Sequence, residues 1–179
     1  GSVKYWSMDY TDDGALKTLT DMANGQTTRY TYDELGNLTK AVLGDGTVIE
    51  YIIDGRGRRI GKKRNGTLER GWLYDGQLRI VAELNGSGAL VSRFVYGTRS
   101  NIPDFMLKYS AGAVTGVYRI ISDHLGSPRM VINVDAAKAT DKLLEARYSA
   151  FGIPTVVNGS LSAIPFGFAG GLYDADTGL

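Results

Sequence analysis

Tyr30-Thr-Tyr-Asp-Glu-Leu-Gly-Asn-Leu38 decides the fold, because its central Tyr32-Asp33 pair returns along the chain. Twenty-one residues on, Ile53-Asp54 opens Asp-Gly-Arg-Gly57, and after the same step Tyr74-Asp75 opens Asp-Gly-Gln-Leu. Upstream, Tyr10 and Gly14 stand 22 residues before Tyr32 and Gly36; downstream, Tyr96-Gly97 falls 22 residues after Tyr74. A fixed period in this range marks a repeat architecture, whose units bury their apolar faces only by stacking on neighbours. About 21 residues is too short for a strand–helix–strand crossover, but it holds two strands of ~6–8 residues and two turns.

The segments between the turns read as strands. Thr47 to Ile53, Gln77 to Leu84 and Ala89 to Tyr96 are rich in β-branched and aromatic residues and alternate in part, as half-buried strands do. Asp-Gly recurs at 13–14, 45–46, 54–55 and 75–76, and Asn-Gly at 24–25, 65–66, 85–86 and 158–159. These dipeptides tolerate the positive φ of tight hairpin turns. The reading is an all-β protein: an open, curved antiparallel sheet of stacked hairpins, with about ten to fourteen strands because repeats add strands without limit. Tyr32, Tyr51, Tyr74 and Tyr96 should lie on or beside strands, with Asp33, Asp54 and Asp75 at turns. The recurring tyrosines suggest side-chain ladders across strands.

Composition agrees. Gly is 24 of 179 residues, roughly twice the ~7% usual share, and Pro only 4, so the turns rely on glycine. A net charge of +1, with acids and bases interspersed, gives no electrostatic case for nucleic acid. The one basic cluster, Arg56, Arg58, Arg59, Lys62, Lys63 and Arg64, reads as a solvated hairpin whose alternate members face opposite ways. No cysteine is present, which excludes disulfides, thiolate metal sites and a cysteine nucleophile. No apolar run approaches the ~18 residues of a membrane span, and no signal peptide is visible. Gly1-Ser2 has the look of a tag scar, which places the natural amino end elsewhere.

Three further blocks carry a family resemblance. Tyr30 to Leu38 resembles the YD repeat of RHS proteins, a family of bacterial polymorphic toxins and wall-associated proteins that shares its repeat with animal teneurins. Ser122-Asp-His-Leu-Gly-Ser-Pro-Arg129 resembles the Thr-Asp-His-Leu-Gly-Ser-Pro segment of the RHS repeat-associated core. Tyr148-Ser-Ala-Phe-Gly152 resembles the Tyr-Asp-Ala-Phe-Gly that follows it, and Pro165 to Leu179 resembles the closing block that ends in Thr-Gly-Leu. Order and spacing match over roughly residues 8 to 179. The departures are Ile53 for the repeat tyrosine, Ser149 for an aspartate, and a long stretch from Val134 to Glu145.

The resemblance implies YD-type repeats over residues 3–110 and a repeat-associated core segment over 111–179, in one continuous sheet. It implies a scaffold: a piece of an RHS β-shell that encapsulates and presents a C-terminal effector domain, secreted or at the cell surface, with a secretion apparatus among its partners. In such proteins an Asp-Pro-x-Gly autoproteolysis motif and a variable toxin follow the core. Neither occurs before Leu179, so the expectation is a shell fragment without toxin or releasing protease. Its bare sheet edges should pair with other copies. The alternative reading is a surface adhesion module whose tyrosine-rich face binds glycans or proteins.

His124, the only histidine, has Asp123 as its sole local partner, too little for a nucleophile–base pair or a metal site. In the block it occupies, Asp123 can cap a turn, Gly126 can take positive φ and Pro128 can fix the exit. Asp174 and Asp176, two residues apart, suit turn capping better than a proton-sharing dyad. Gly55-x-Gly57 and Gly86-Ser-Gly88 lack the helix and lysine of a phosphate loop. The expectation is therefore no catalytic, cofactor-binding or metal residue. Asp135 to Arg147 holds a capping aspartate and good helix formers, yet its flanks predict a hairpin of Arg129 to Val134 against Leu144 to Ser149. A loop or a short helical turn around Ala136 to Asp141 stays open.

Overall fold

A computed structural model describes residues 5–138 and 140–179; the expected tag scar lies outside them. The chain forms one open antiparallel sheet of fourteen strands in strict chain order. The first six are β1 (Trp6–Tyr10), β2 (Leu16–Asp21), β3 (Thr27–Tyr32), β4 (Leu38–Val42), β5 (Val48–Ile53) and β6 (Arg59–Arg64). Then come β7 (Thr67–Asp75), β8 (Arg79–Asn85), β9 (Leu90–Val95) and β10 (Phe105–Ser110). The last four are β11 (Ala113–Ser122), β12 (Pro128–Asn133), β13 (Lys142–Tyr148) and β14 (Pro154–Gly159). Short 3₁₀ turns at Ala136–Lys138, Leu161–Ala163 and Phe168–Gly170 are the only helical segments among the described residues. Every connection joins neighbours, so the sheet is a pure meander with β1 and β14 as its edges.

Packing divides the chain into two units, at Gly71 and Trp72 inside β7. In the first, Tyr30, Ala41 and Ile49 face one another across β3, β4 and β5, and Tyr51 joins them to form a small buried cluster. Lys62 sits directly opposite Tyr51 and is buried, a departure from the expected solvated hairpin. Its ammonium lies 3.7 Å from Glu69, and the Arg59 guanidinium lies 3.7 Å above the Tyr51 ring. On the other register, Lys40, Glu50 and Lys63 alternate in sign across three strands. The basic run is thus compensated by acids and an aromatic ring.

In the second unit one row runs Phe94, Met106, Tyr118 and Asn133 across β9 to β12, and another Ile120, Val131 and Leu144 across β11 to β13. Residues 161–179 return over this face as a strap. Phe166 is 2% exposed and meets Phe94 edge to face, with centroids 5.0 Å apart. The Lys108 ammonium donates to the Ala163 carbonyl at 3.0 Å and to Ser92 Oγ at 3.1 Å. Burying each such large apolar side chain contributes about 1.5–3 kcal/mol.

The hairpin expected around 135–147 is β12 paired with β13, its connection carrying the Ala136–Lys138 turn; Ala139 lies outside the described residues. Asp135 opens that turn, its Oδ1 accepting from Ala137 N–H at 3.0 Å. The repeat tyrosines do something other than stack as ladders at two positions. Tyr32 donates its hydroxyl to the Leu16 carbonyl and Tyr96 to that of Ile80, each at 2.9 Å and each 16 residues back. In both cases a tyrosine at the end of one strand ties itself to the beginning of the strand just before it in the chain.

Candidate functional site

The recurring element is one turn built repeatedly. Asp33 N–H donates to the Asn37 carbonyl at 3.0 Å and Gly36 N–H to the Asp33 carbonyl at 3.1 Å. Gly36 takes φ 81°, which a side chain would strain. The Asp33 carboxylate fills the loop, with Oδ1 accepting from Leu35 N–H at 3.0 Å and Asn37 N–H at 2.8 Å. The same pattern appears at Asp54 with Gly57, Asn85 with Gly88 and Asp123 with Gly126. Ser149 with Gly152 repeats it through Oγ, and Thr11 with Gly14 in part. At Leu43 with Gly46 the backbone bonds remain, and Asp45 supplies the cap to Thr47 N–H instead. The physical rule is a short oxygen-bearing side chain at the first position and a left-handed glycine at the fourth.

This rule corrects the dipeptide reading. At 54–55 and 85–86 the first residue caps, and the left-handed glycine comes two residues after the dipeptide, at Gly57 and Gly88. Asn65-Gly66, at φ 49° and 80°, is a two-residue turn with both residues left-handed. Ala111-Gly112, at φ 48° and 79°, is another, which no Asn or Asp signals. Asp75 is the last residue of β7 rather than a turn residue, because Leu78 stands where a fourth-position glycine is required. Gly76 turns the chain at once with φ 71°, and the Asp75 carboxylate pairs with Arg79 at 3.3 Å. Tyr74 precedes it on β7.

Asp54 has the strongest cap. Arg58 donates to Oδ2 from Nε at 2.8 Å and from Nη2 at 2.6 Å, and from its backbone N–H to Oδ1 at 3.0 Å. The side-chain bonds from Arg58, then the backbone bonds, bring the Asp54 pKa down to about 2. A folded pKa below the unfolded value makes the cap's contribution complete above about pH 4. It is lost as pH falls through 2. Carboxyl NMR should place the Asp54 midpoint near 2 and move it upward in Arg58→Gln; a midpoint at the ordinary aspartate value in the wild type would refute this cap.

The core block is a tied-down version of the same turn. Arg99 Nη1 donates to the Asp123 carbonyl, and Arg129 Nη1 lies 3.7 Å from Asp123 Oδ2. Burial raises the Asp123 pKa, but the Ser127 and Leu125 N–H donors and Arg129 outweigh it, and the net shift is downward. Ser127 is fully buried and its Oγ accepts from Ala169 N–H at 3.0 Å. Pro128, also fully buried, starts β12, and Gly126 lies buried against Asn101. His124 occupies the second turn position and is exposed. No group of three or more potential metal ligands occurs among the described residues. Asp174 caps a wider turn, accepting from Asp176 N–H at 2.9 Å, with Gly178 at φ 74°.

Three blocks far apart in sequence thus meet in the second unit: Ser122–Arg129, Tyr148–Gly152 and the strap. Tyr148 and Phe168 approach with ring centroids 6.1 Å apart, beside a cleft of about 190 Å³ lined by Phe151, Leu172 and Tyr173. Residues 2–179 match the family model described as the teneurin YD-shell. The chain belongs to the teneurin YD-shell family. Among solved structures, this YD-shell segment resembles the crystal structures of TcdB2-TccC3 and TcdB2-TccC3-Cdc42. Each gives a TM-score of 0.51 at 15% identity. The match covers 82% of this chain and 9% of that one for the first, and 70% and 7% for the second. The likeness is one of fold, and the chain spans less than a tenth of either structure. No curated protein matches. No helix among the described residues is long and apolar enough to cross a membrane.

Proposed function

We propose that this YD-shell segment is a non-enzymatic wall piece of a toxin shell, encapsulating an effector domain for delivery outside the producing cell. The observation that carries this is the strict meander: fourteen strands in chain order, over residues that match the shell family throughout. Such a sheet lengthens by repeating one unit, and a long enough run of units can curve around a cargo. The partners are then the rest of the shell, the enclosed effector and a secretion apparatus. The fold likeness to TcdB2-TccC3 supports a toxin setting. His124, exposed in a capped turn, serves no reaction in this reading. The test is limited proteolysis of the polypeptide that carries this segment. An enclosed effector should survive doses that digest the same domain expressed alone. Equal digestion would refute encapsulation and favour adhesion.

A second expectation concerns the isolated 179-residue chain. β14 has no charged residue, and five of its six residues are exposed; on β1, Trp6, Met8 and Tyr10 are exposed at alternate positions. Unpaired edge strands with apolar side chains invite strand addition by another copy. Small-angle scattering should show a radius of gyration that grows with concentration and exceeds the ~16 Å of a compact chain this long. Val157→Lys should lower it. A concentration-independent value of ~16 Å would refute edge pairing.

A further inference from the structure

We propose that the pocket between residues 98–104 and β11 is an oxyanion site, taking a carboxylate or a phosphate group. Its floor is apolar: Ile102 and Ile120 are 2% and 3% exposed, and Pro103 is fully buried. Its volume, about 140 Å³, suits one such group with its first water. Two guanidinium groups line it. Arg119 is anchored by Asp104 Oδ1 at 3.3 Å and by the Phe105 ring, whose centroid lies 4.7 Å away, yet its side chain remains 39% exposed. Arg99 spends Nη1 on the Asp123 carbonyl, which leaves its other donors for a ligand.

The one carboxylate in the pocket is already occupied. Asp104 Oδ2 accepts from Gly97 N–H at 2.9 Å and Thr98 N–H at 2.7 Å, and Oδ1 from Thr98 Oγ1 at 2.8 Å. These bonds, led by Thr98 N–H, hold its pKa low, so it stays ionised and offsets only one of the two arginines. A net positive charge therefore remains over an apolar floor, where charge–charge attraction is stronger than in open water. Ser122 borders the pocket, but its hydroxyl oxygen is buried beneath the wall, so a ligand meets the two arginines and not this hydroxyl. The oxygens of the oxyanion would take the arginine donors, in the charge-assisted bonds that arginine forms with such groups.

The experiment is an NMR titration of the 179-residue chain with inorganic phosphate and, separately, acetate, at matched ionic strength. Shifts should saturate and be confined to amides of Thr98–Asn101 and Arg119–Asp123. Arg99→Gln should weaken the binding about tenfold or more, as loss of a charged hydrogen bond requires. Arg119→Gln should weaken it likewise, while Asp104 keeps its bonds from Gly97 and Thr98 and the fold is retained. Tighter acetate binding would identify an acidic peptide group as the natural ligand, and tighter phosphate binding a phosphorylated one. Shifts that never saturate, or saturation that survives either substitution unchanged, would overturn the proposal.

Discussion

Phe166→Ala should destabilise the second unit by about 3–5 kcal/mol, the cost of deleting a buried aromatic and leaving a cavity. Phe166 is 2% exposed and packs its ring at 84° to that of Phe94, an edge-to-face contact that adds about 0.5–1.5 kcal/mol beyond burial. It is also the largest fully buried side chain of the strap, beside Ile164 in the same core, while Lys108 and Ser127 bond the strap's backbone. Denaturant unfolding should show the loss, and amide exchange should speed up first in residues 161–179. Phe166→Leu should recover much of it. A variant as stable as wild type, with the strap still protected, would show that Phe166 does not hold the strap.

Gly159→Ala is expected to cost about 2–5 kcal/mol, the sum of left-handed strain and overpacking. Gly159 has φ 74°, and a Cβ there would lie 2.1 Å from the Leu143 carbonyl oxygen, which is backbone and cannot step aside. The β13–β14 pairing must give, so exchange along β14 should rise. Gly36→Ala is the control. At φ 81° it carries the same strain with nothing within 4 Å, so about 1–2 kcal/mol is expected. Both glycines follow or close a turn signal, and only the neighbouring backbone separates them. Equal melting temperatures for the two variants would contradict the role of Leu143.

Much of the sheet was legible because its information is local. A capping oxygen at one position and a glycine three later leave a visible mark, so Asp33, Asp54 and Asp123 could be placed at turns from spacing alone. Thr11 and Ser149 make the same turn through hydroxyls, and Leu43 makes it with a borrowed cap, so a search for Asp-Gly passes over them. Ala111 at φ 48° left no trace, since the alanine is forced left-handed by the strands it joins. Least legible was the strap. Its contacts span 42 residues from Ser127 to Ala169 and 55 from Lys108 to Ala163, and no periodicity encodes such pairs. The candidate oxyanion pocket was hidden for the same reason, being assembled from a loop and a strand with no shared motif.

The meander also fixes an order of assembly. When each strand pairs only with its chain neighbours, loop closure is cheap at every step, and the sheet can be laid down hairpin by hairpin as the polypeptide emerges from the ribosome. The strap breaks that locality. Phe166 cannot dock until β9 to β13 stand complete beneath it, so its arrival closes the second unit rather than nucleating it. Synthesis therefore leaves the apolar face of the second unit open until residues 161–179 have been made, a built-in interval in which that face can still admit something else.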